Sequence, residues 1–102
     1  MEINTKSRNG NLYIFFEGDI DQSEATSLKN KLSSILKTRP LNKVILNMSK
    51  ITFIDSTFLG ILMGRYKEMR AKGVSLYIEE PSRQIDKLLS ISGIYTIIPL
   101  IS

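Results

Sequence analysis

Residues 44–60 read VILNMSKITFIDSTFLG, and this stretch decides the fold class. The short apolar run at 44–48 predicts a buried strand. A helix is predicted from Thr57 to about Lys72, because apolar residues recur there at three- and four-residue steps, and Gly73 suits its C-terminal cap. The apolar face of this helix consists of Leu59, Leu62, Met63, Tyr66 and Met69. A strand followed by an amphipathic helix is the repeating unit of α/β proteins.

The N-terminal part of the chain predicts a β-hairpin. Two extended segments, 3–8 and 11–17, are joined by Asn9-Gly10, a dipeptide that tolerates the positive φ angles of a tight turn. The second arm is almost entirely apolar or aromatic at 12–16, which favours a strand buried on both faces. The segment Gly18-Asp19-Ile20-Asp21 is expected to break this strand.

A first helix is predicted from Gln22 to about Lys37. Asp21 and Glu24 have the spacing of a helix-capping box, and Arg39-Pro40 is expected to close the helix. Apolar residues spaced by three or four positions form its buried stripe: Ala25, Leu28, Leu32, Ile35 and Leu36.

The C-terminal part continues the alternation of strand and helix. Residues 74–78 predict a strand, Pro81 sits where a helix can start, and the third apolar stripe ends before Gly93. That stripe consists of Ile85, Leu88 and Leu89, and residues 96–98 predict a short fifth strand. The expected fold is a single α/β domain over residues 1–102, in which an N-terminal hairpin feeds a mixed, mainly parallel sheet of about five strands with three or more helices joined by right-handed crossovers.

Composition excludes several classes of function. The 102-residue chain contains no cysteine and no histidine, which removes disulfides, the usual zinc ligand sets and Ser-His or Cys-His catalysis. Its net charge is +4, but the basic residues are scattered, so direct nucleic-acid binding is not expected. No apolar run approaches the roughly 20 residues that a membrane span needs, and the N-terminus lacks a secretory signal pattern. A cytoplasmic protein with no membrane contact is expected.

Asp55, Ser56 and Thr57 place an acid and two hydroxyls where a loop becomes a helix. The first backbone N–H groups of that helix are expected to point toward whatever occupies Ser56. Asp, Ser and Thr are also the preferred N-cap residues, and simple capping would imply no function. Both interpretations stay open on the residues alone.

The segment Asp55-Ser56-Thr57-Phe58-Leu59-Gly60 resembles the D-S-[ST]-x-L-G signature of the STAS-domain anti-sigma factor antagonists. Residues 18–21 are similar to the G-E-L-D turn of that family, residues 64–67 continue the signature helix as in its sporulation members, and residues 88–94 look like its late S-G-[LI] segment. The resemblance spans residues 12 to 98.

This resemblance implies a regulatory protein and not an enzyme, with no cofactor or metal. Ser56 would be phosphorylated by an anti-sigma factor that is also a serine kinase, with ATP bound on the kinase. The unphosphorylated form would bind that kinase and free the sigma factor, the phosphorylated form would release it, and a serine phosphatase would reset the cycle. A monomer is the default expectation.

The resemblance also implies a docking face around the phosphorylation site. Asp55 would position Ser56, and Asp21 would lie beside it while also capping a helix. Phe58 occupies a position where glycine is common, so we expect its ring at the rim of the docking face. The residues expected to bind the partner are Asp19, Asp21, Asp55, Ser56, Thr57, Phe58 and Gly60.

Gly60 and Gly64 are four residues apart on one face of the predicted second helix. The spacing matches a membrane dimerisation motif, but the charged residues of this helix exclude that interpretation. We expect the backbone of this helix to lie close to the sheet or to a partner at these glycines. A structural role is the more common reason for such glycines.

Two rival functions remain. The first is a STAS binding module of a larger assembly in which Ser56 is never phosphorylated. The second is a small nucleotide-binding or hydrolytic enzyme with a metal cluster formed by Asp19, Asp21 and Asp55. The chain lacks the G-x-x-x-x-G-K-[ST] loop that would support the second.

Overall fold

The computed structural model describes residues 1–37 and 42–101, and it contains one four-stranded sheet. The strands are β1 (Glu2–Arg8), β2 (Asn11–Ile20), β3 (Lys43–Ile54) and β4 (Ser75–Glu79), and they lie in the order β1-β2-β3-β4. β1 is antiparallel to β2, whereas β2, β3 and β4 are parallel. The predicted mixed, mainly parallel α/β sheet with an N-terminal hairpin is therefore confirmed.

The β1–β2 turn has the predicted form. Asn9 and Gly10 adopt φ angles of 53° and 81°, as a two-residue turn with two left-handed positions requires. The strand after the turn differs from the prediction, since its burial alternates: Leu12, Ile14 and Phe16 are fully buried, while Tyr13 and Phe15 are half-buried. β2 therefore buries one face completely and not both.

β2 and β3 both run further than predicted. Gly18–Asp21 was expected to break β2, but β2 continues to Ile20, and β3 continues to Ile54 through a segment expected to lead out of it. Two register shifts, between Phe15 and Glu17 and between Gly18 and Asp19, keep the strands paired. Such bulges accommodate an extra residue and sharpen the twist, so pairing survives a break in the apolar pattern.

Three α-helices are present, as predicted. A 3₁₀ turn at Gln22–Glu24 precedes α1 (Ala25–Lys37), α2 spans Ser56–Ala71, and α3 spans Arg83–Ser92. α1 connects β2 to β3, α2 connects β3 to β4, and α3 follows β4. The expected closure of α1 by Arg39-Pro40 lies outside the described residues. In the described part of the chain, no helix has the length and apolar character needed to span a membrane.

The helix ends show which capping predictions hold. Asp21 caps the 3₁₀ turn by accepting a hydrogen bond from the Ser23 N–H at 3.0 Å. The prediction of a capping box is wrong, however, because the Glu24 carboxylate accepts a hydrogen bond from the N-terminal amine of Met1 at 3.2 Å instead. α3 ends at Gly93, whose φ of 81° provides the predicted left-handed cap.

The predicted fifth strand is wrong. Residues Ile94–Thr96 form a 3₁₀ turn, and the chain reaches β4 only further along, where Leu100 forms a parallel bridge to Ile78 and Ile78 exchanges backbone hydrogen bonds with Pro99 and Ile101. A short run of β-branched residues does not distinguish a strand from a buried turn by its periodicity. Ile94 and Ile98 are buried in the core, so the segment packs against the domain without joining the sheet.

The core lies between one face of the sheet and the three helices. Alternate residues of β2, β3 and β4 meet the buried residues of α1, α2 and α3 in a single cluster. Leu88 was predicted to belong to the buried stripe of α3, but its side chain is 41% exposed. Only Ile85 and Leu89 of that helix are buried, which matches a narrow contact with the rest of the core.

Candidate functional site

Ser56 is the first residue of α2 and its side chain is exposed. It follows Asp55, which is extended and acts as N-cap: its carboxylate accepts hydrogen bonds from the N–H groups of Thr57 at 2.9 Å and Phe58 at 3.3 Å. The capping interpretation of Asp55 is therefore correct. These two N–H groups were expected to face a group on Ser56, but the Asp55 carboxylate already uses them.

This cap gives a first prediction. We expect Asp55→Ala to lower the free energy of unfolding by about 0.5 to 2 kcal/mol, the usual cost of losing an N-cap side chain. Ser56→Ala is the matched control and should stay within about 0.5 kcal/mol of wild type, because its side chain is exposed. Urea unfolding monitored by circular dichroism measures both. Equal stability of the two variants would contradict the assignment of Asp55 as the cap.

Asp19 and Asp21 lie at the same edge of the sheet as the start of α2. Asp19 is paired with Phe53 of β3, and its carboxylate accepts a hydrogen bond from the Thr52 hydroxyl. Asp21 is fully exposed, and its hydrogen bond from the Ser23 hydroxyl, at 2.5 Å, is the main reason that its pKa lies below the usual value. Asp19, Asp21, Asp55 and Ser56 are therefore all positioned at the edge of the sheet where β2 and β3 end.

Phe58 does not lie at an exposed rim, as was expected, but is buried. Its side chain is 1% exposed, and its ring packs edge-on against Phe16 of β2, with the ring centroids 5.8 Å apart and the planes at 81°. Edge-to-face contact is a favourable geometry for aromatic pairs. The expectation is wrong because residue 58 is the third residue of α2 and points at the sheet, where an aromatic ring fills the core.

Phe53 is the exposed aromatic residue at this edge, and the sequence analysis missed it. Its side chain is 46% exposed, whereas Ile51 and Ile54 on the same strand are buried. Its position opposite Asp19 places the ring beside the acidic residues. No local signal marks Phe53, because strict alternation would place it on the same face as the buried Ile51, and that alternation is broken where the pairing of β3 with β2 is irregular.

Gly60 and Gly64 face open space. A Cβ atom built on either glycine has no atom within 4 Å, so close approach of the helix backbone to the sheet is not the reason for these glycines. Both line a shallow depression of about 270 Å³ that begins at Thr57, next to Ser56, and also includes Lys29, Ile61 and Arg65. This surface has room for a partner's backbone or side chains.

Arg65 fixes one wall of this depression. Its guanidinium donates to the Ser33 hydroxyl at 3.0 Å and to the Lys29 carbonyl at 3.4 Å, and it lies 3.6 Å from the Glu68 carboxylate. These contacts join α1 to α2. The relative position of the two helices beside Ser56 is therefore held by a side-chain bridge as well as by the core.

The acidic residues do not form a metal site in the described ranges 1–37 and 42–101, where no three acidic side chains gather in a group that could hold a metal ion. Asp55 instead caps α2, Asp21 caps a 3₁₀ turn and Asp19 accepts from Thr52. The rival hypothesis of a metal-dependent enzyme therefore lacks its cluster in this part of the chain.

Known proteins resemble the chain along almost its whole length. An anti-sigma F factor antagonist of Paenibacillus polymyxa is 24% identical over 100 residues, covering 98% of this chain and 86% of the relative. An anti-sigma-B factor antagonist of Bacillus subtilis is 26% identical over 100 residues, covering 98% and 90%. Both of these relatives are anti-sigma factor antagonists, as the signature around Ser56 indicated.

Solved structures share the fold. The anti-sigma factor antagonist SpoIIAA in its unphosphorylated form superposes with a TM-score of 0.77 at 20% identity, covering 99% of this chain and 89% of that one. The Bacillus cell fate determinant SpoIIAA in the phosphorylated form gives a TM-score of 0.67 at 20% identity, covering 99% and 92%. The family model described as STAS domain matches residues 2–102. The chain thus belongs to the STAS domain family.

Proposed function

We propose that this protein is an anti-sigma factor antagonist controlled by phosphorylation of Ser56. Its unphosphorylated form binds an anti-sigma factor that is also a serine kinase, with ATP on the kinase, and so releases the sigma factor. Phosphorylated Ser56 abolishes this binding, and a serine phosphatase restores it. The observation that carries the proposal is the exposed Ser56 side chain at the start of α2, inside the signature segment.

The docking face of this proposal consists of Asp19, Asp21, Phe53, Ser56, Thr57 and Gly60. Asp19 and Asp21 contribute negative charge, Phe53 contributes an exposed apolar surface, and the depression at Gly60 offers room for a partner. Exposed aromatic residues commonly provide much of the binding energy of an interface. Asp55 acts as a positioning residue, since its carboxylate is used by the helix cap.

The charge of the phosphate explains the switch. A phosphate on Ser56 adds about −1.5 to −2 charges at pH 7, directly beside the Asp55 carboxylate. Because that carboxylate already accepts from Thr57 and Phe58, the phosphate competes with it for the positive end of α2. The anion therefore stays exposed on the docking face, where a docked partner would have to desolvate a dianion beside Asp55 and make room for its bulk.

The proposal is tested by phosphorylation in vitro. The protein is incubated with its cognate kinase and ATP, and the phosphate is mapped by mass spectrometry. We expect one phosphate on Ser56 and none on Ser56→Ala, whereas Thr57→Ala, which removes the neighbouring hydroxyl, should still carry its phosphate on Ser56. An active kinase that leaves Ser56 unlabelled would favour the binding module without a phosphorylation switch.

Gly60 gives a second test of the docking face. Gly60→Ala should stabilise the domain by about 0.5 to 1 kcal/mol, because alanine is the better helix former and its methyl group meets no atom. The same methyl group should weaken kinase binding about tenfold by filling the depression. Gly64→Ala adds its methyl group to the same depression but one turn further from Ser56, so it should gain similar stability and weaken binding less than Gly60→Ala does. Titration calorimetry and urea unfolding measure these effects, and unchanged affinity of Gly60→Ala would remove Gly60 from the docking face.

A further inference from the structure

The charges of helix α1 are all basic. The helix contains Lys29, Lys31 and Lys37 and no acidic residue. Lys37 lies in the last turn, where a cation interacts favourably with the negative end of the helix. Lys29 and Lys31 lie earlier, so α1 itself supplies no partner for either charge. Within residues 1–37 and 42–101, neither lysine forms an ion pair within 4.0 Å.

Lys29 and Lys31 lie on opposite sides of α1. Two positions correspond to about 200° of rotation around a helix with 3.6 residues per turn. Lys29 lines the depression next to Ser56, together with Gly60 and Gly64 of α2. Lys31 lines a separate hollow with Ile3 of β1. Of these two cations, Lys29 is therefore the one beside the docking face.

Contacts from α2 fix the position of Lys29. The Arg65 guanidinium donates to the Lys29 carbonyl at 3.4 Å and to the Ser33 hydroxyl at 3.0 Å, which keeps the base of the Lys29 side chain next to α2. Arg65 also lies 3.6 Å from the Glu68 carboxylate, which offsets the charge of the guanidinium. In the described part of the chain, no carboxylate offsets the charge of the Lys29 ammonium group in the same way.

The depression has room for a side chain and is lined by no acidic residue. Its lining residues are Lys29, Thr57, Gly60, Ile61, Gly64 and Arg65. Its volume of about 270 Å³ is several times the roughly 30 Å³ that one water molecule occupies in the liquid. An unpaired ammonium group at the wall of such a space favours a negatively charged side chain as the occupant.

We propose that Lys29 is a specificity-determining residue of the docking face, and that the anti-sigma kinase places the carboxylate of an aspartate or glutamate in the depression, as an ion pair with Lys29. This inference rests on the proposed function and adds the chemistry of the partner. Complementary charges fix the register of an interface and exclude wrong partners. Since Asp19 and Asp21 also belong to the docking face, a matching partner carries basic and acidic groups in a fixed arrangement.

A carboxylate fits the depression better than the phosphates of the ATP on the kinase. One ammonium group balances the charge of one carboxylate, whereas the phosphate chain of ATP carries several charges. The transferred phosphoryl group also has to approach the Ser56 hydroxyl, and Ser56 does not line the depression. The occupant of the depression is therefore assigned to the protein part of the kinase.

Titration calorimetry with the purified cognate kinase, loaded with a non-hydrolysable ATP analogue, tests the ion pair. Lys29→Glu should bind at least about tenfold more weakly than wild type, because it brings two carboxylates together. Lys29→Gln, which only removes the charge, should lose less affinity. Lys31→Glu is the matched control, since it changes the net charge equally on the same helix, and it should bind within about threefold of wild type. All three variants should unfold at nearly the wild-type urea concentration, because both lysines are exposed.

Three results would overturn the inference. Unchanged affinity of Lys29→Glu excludes a carboxylate of the partner from the depression. Equal loss of affinity in Lys29→Glu and Lys31→Glu assigns the effect to the net charge of the chain. A loss that disappears when the kinase is free of nucleotide assigns Lys29 to the phosphates of ATP.

The same kinase distinguishes this inference from the proposed function. A wild-type chain that is neither bound by the kinase nor labelled on Ser56 contradicts the proposed function, and with it the ion pair. A Lys29→Glu variant that is bound and labelled like wild type contradicts the ion pair alone.

Discussion

Replacing Ser56 by aspartate is expected to weaken binding of the anti-sigma kinase about 100-fold, equal to about 2.7 kcal/mol of binding free energy. The new carboxylate lies beside Asp55, whose own carboxylate already uses the free N–H groups of the helix, so the added charge is not neutralised within the domain. Docking would bury this second carboxylate beside Asp55 without a group to pair with it, and burying an unpaired charge is costly. Titration calorimetry with the purified kinase measures the loss.

The matched control for this variant is Ser56→Asn, which has nearly the same size and no charge. It should keep affinity within about fivefold of wild type, and both variants should unfold within about 0.5 kcal/mol of wild type because the site is exposed. Equal loss of binding in both variants would replace the electrostatic mechanism by a steric one. Tight binding by Ser56→Asp would contradict the proposed switch.

Phe58→Ala is expected to lower the free energy of unfolding by about 3 to 5 kcal/mol, the usual cost of removing a buried phenylalanine side chain. The ring is 1% exposed and packs on Phe16, so its removal leaves a cavity beneath α2. Single domains are stable by about 5 to 15 kcal/mol, so the variant should unfold at a much lower urea concentration.

Phe53→Ala is the contrasting variant at the same edge of the sheet. Its ring is 46% exposed, so stability should stay within about 0.5 kcal/mol, while kinase affinity should fall at least tenfold. Urea unfolding and titration calorimetry on both variants separate the core residue from the docking residue. A stable Phe58→Ala that no longer binds would return Phe58 to the docking face.

The alternation of strands and helices could be predicted from periodicity, but the lengths of β2 and β3 could not. Ser49, Lys50 and Thr52 resemble a loop, yet β3 continues through them because bulges in its pairing with β2 absorb the irregular pattern. Bulges depend on contacts between strands that are distant in sequence, and no local pattern encodes them.

The position of Ser56 at the start of α2 could be predicted, because capping residues and the onset of an apolar helical pattern coincide there. The inward direction of the Phe58 ring could not be predicted, because it depends on packing and not on a local pattern. A family signature describes residue 58 as variable, and only the packing of α2 on β2 decides that its ring points inward. Phe53 escaped notice because an exposed aromatic side chain cannot be distinguished from a core one before the strand is known to extend that far.

The consecutive order of the strands affects how the chain acquires its structure during synthesis. Each new strand pairs with the strand made just before it, so residues 1–54 already contain three neighbouring strands of the sheet. A polypeptide emerging from the ribosome, which proceeds from the N-terminus, can add β4 to an edge that already exists. No strand depends on a partner that is synthesised much later. Unpaired strand edges are therefore exposed to aggregation for a shorter time.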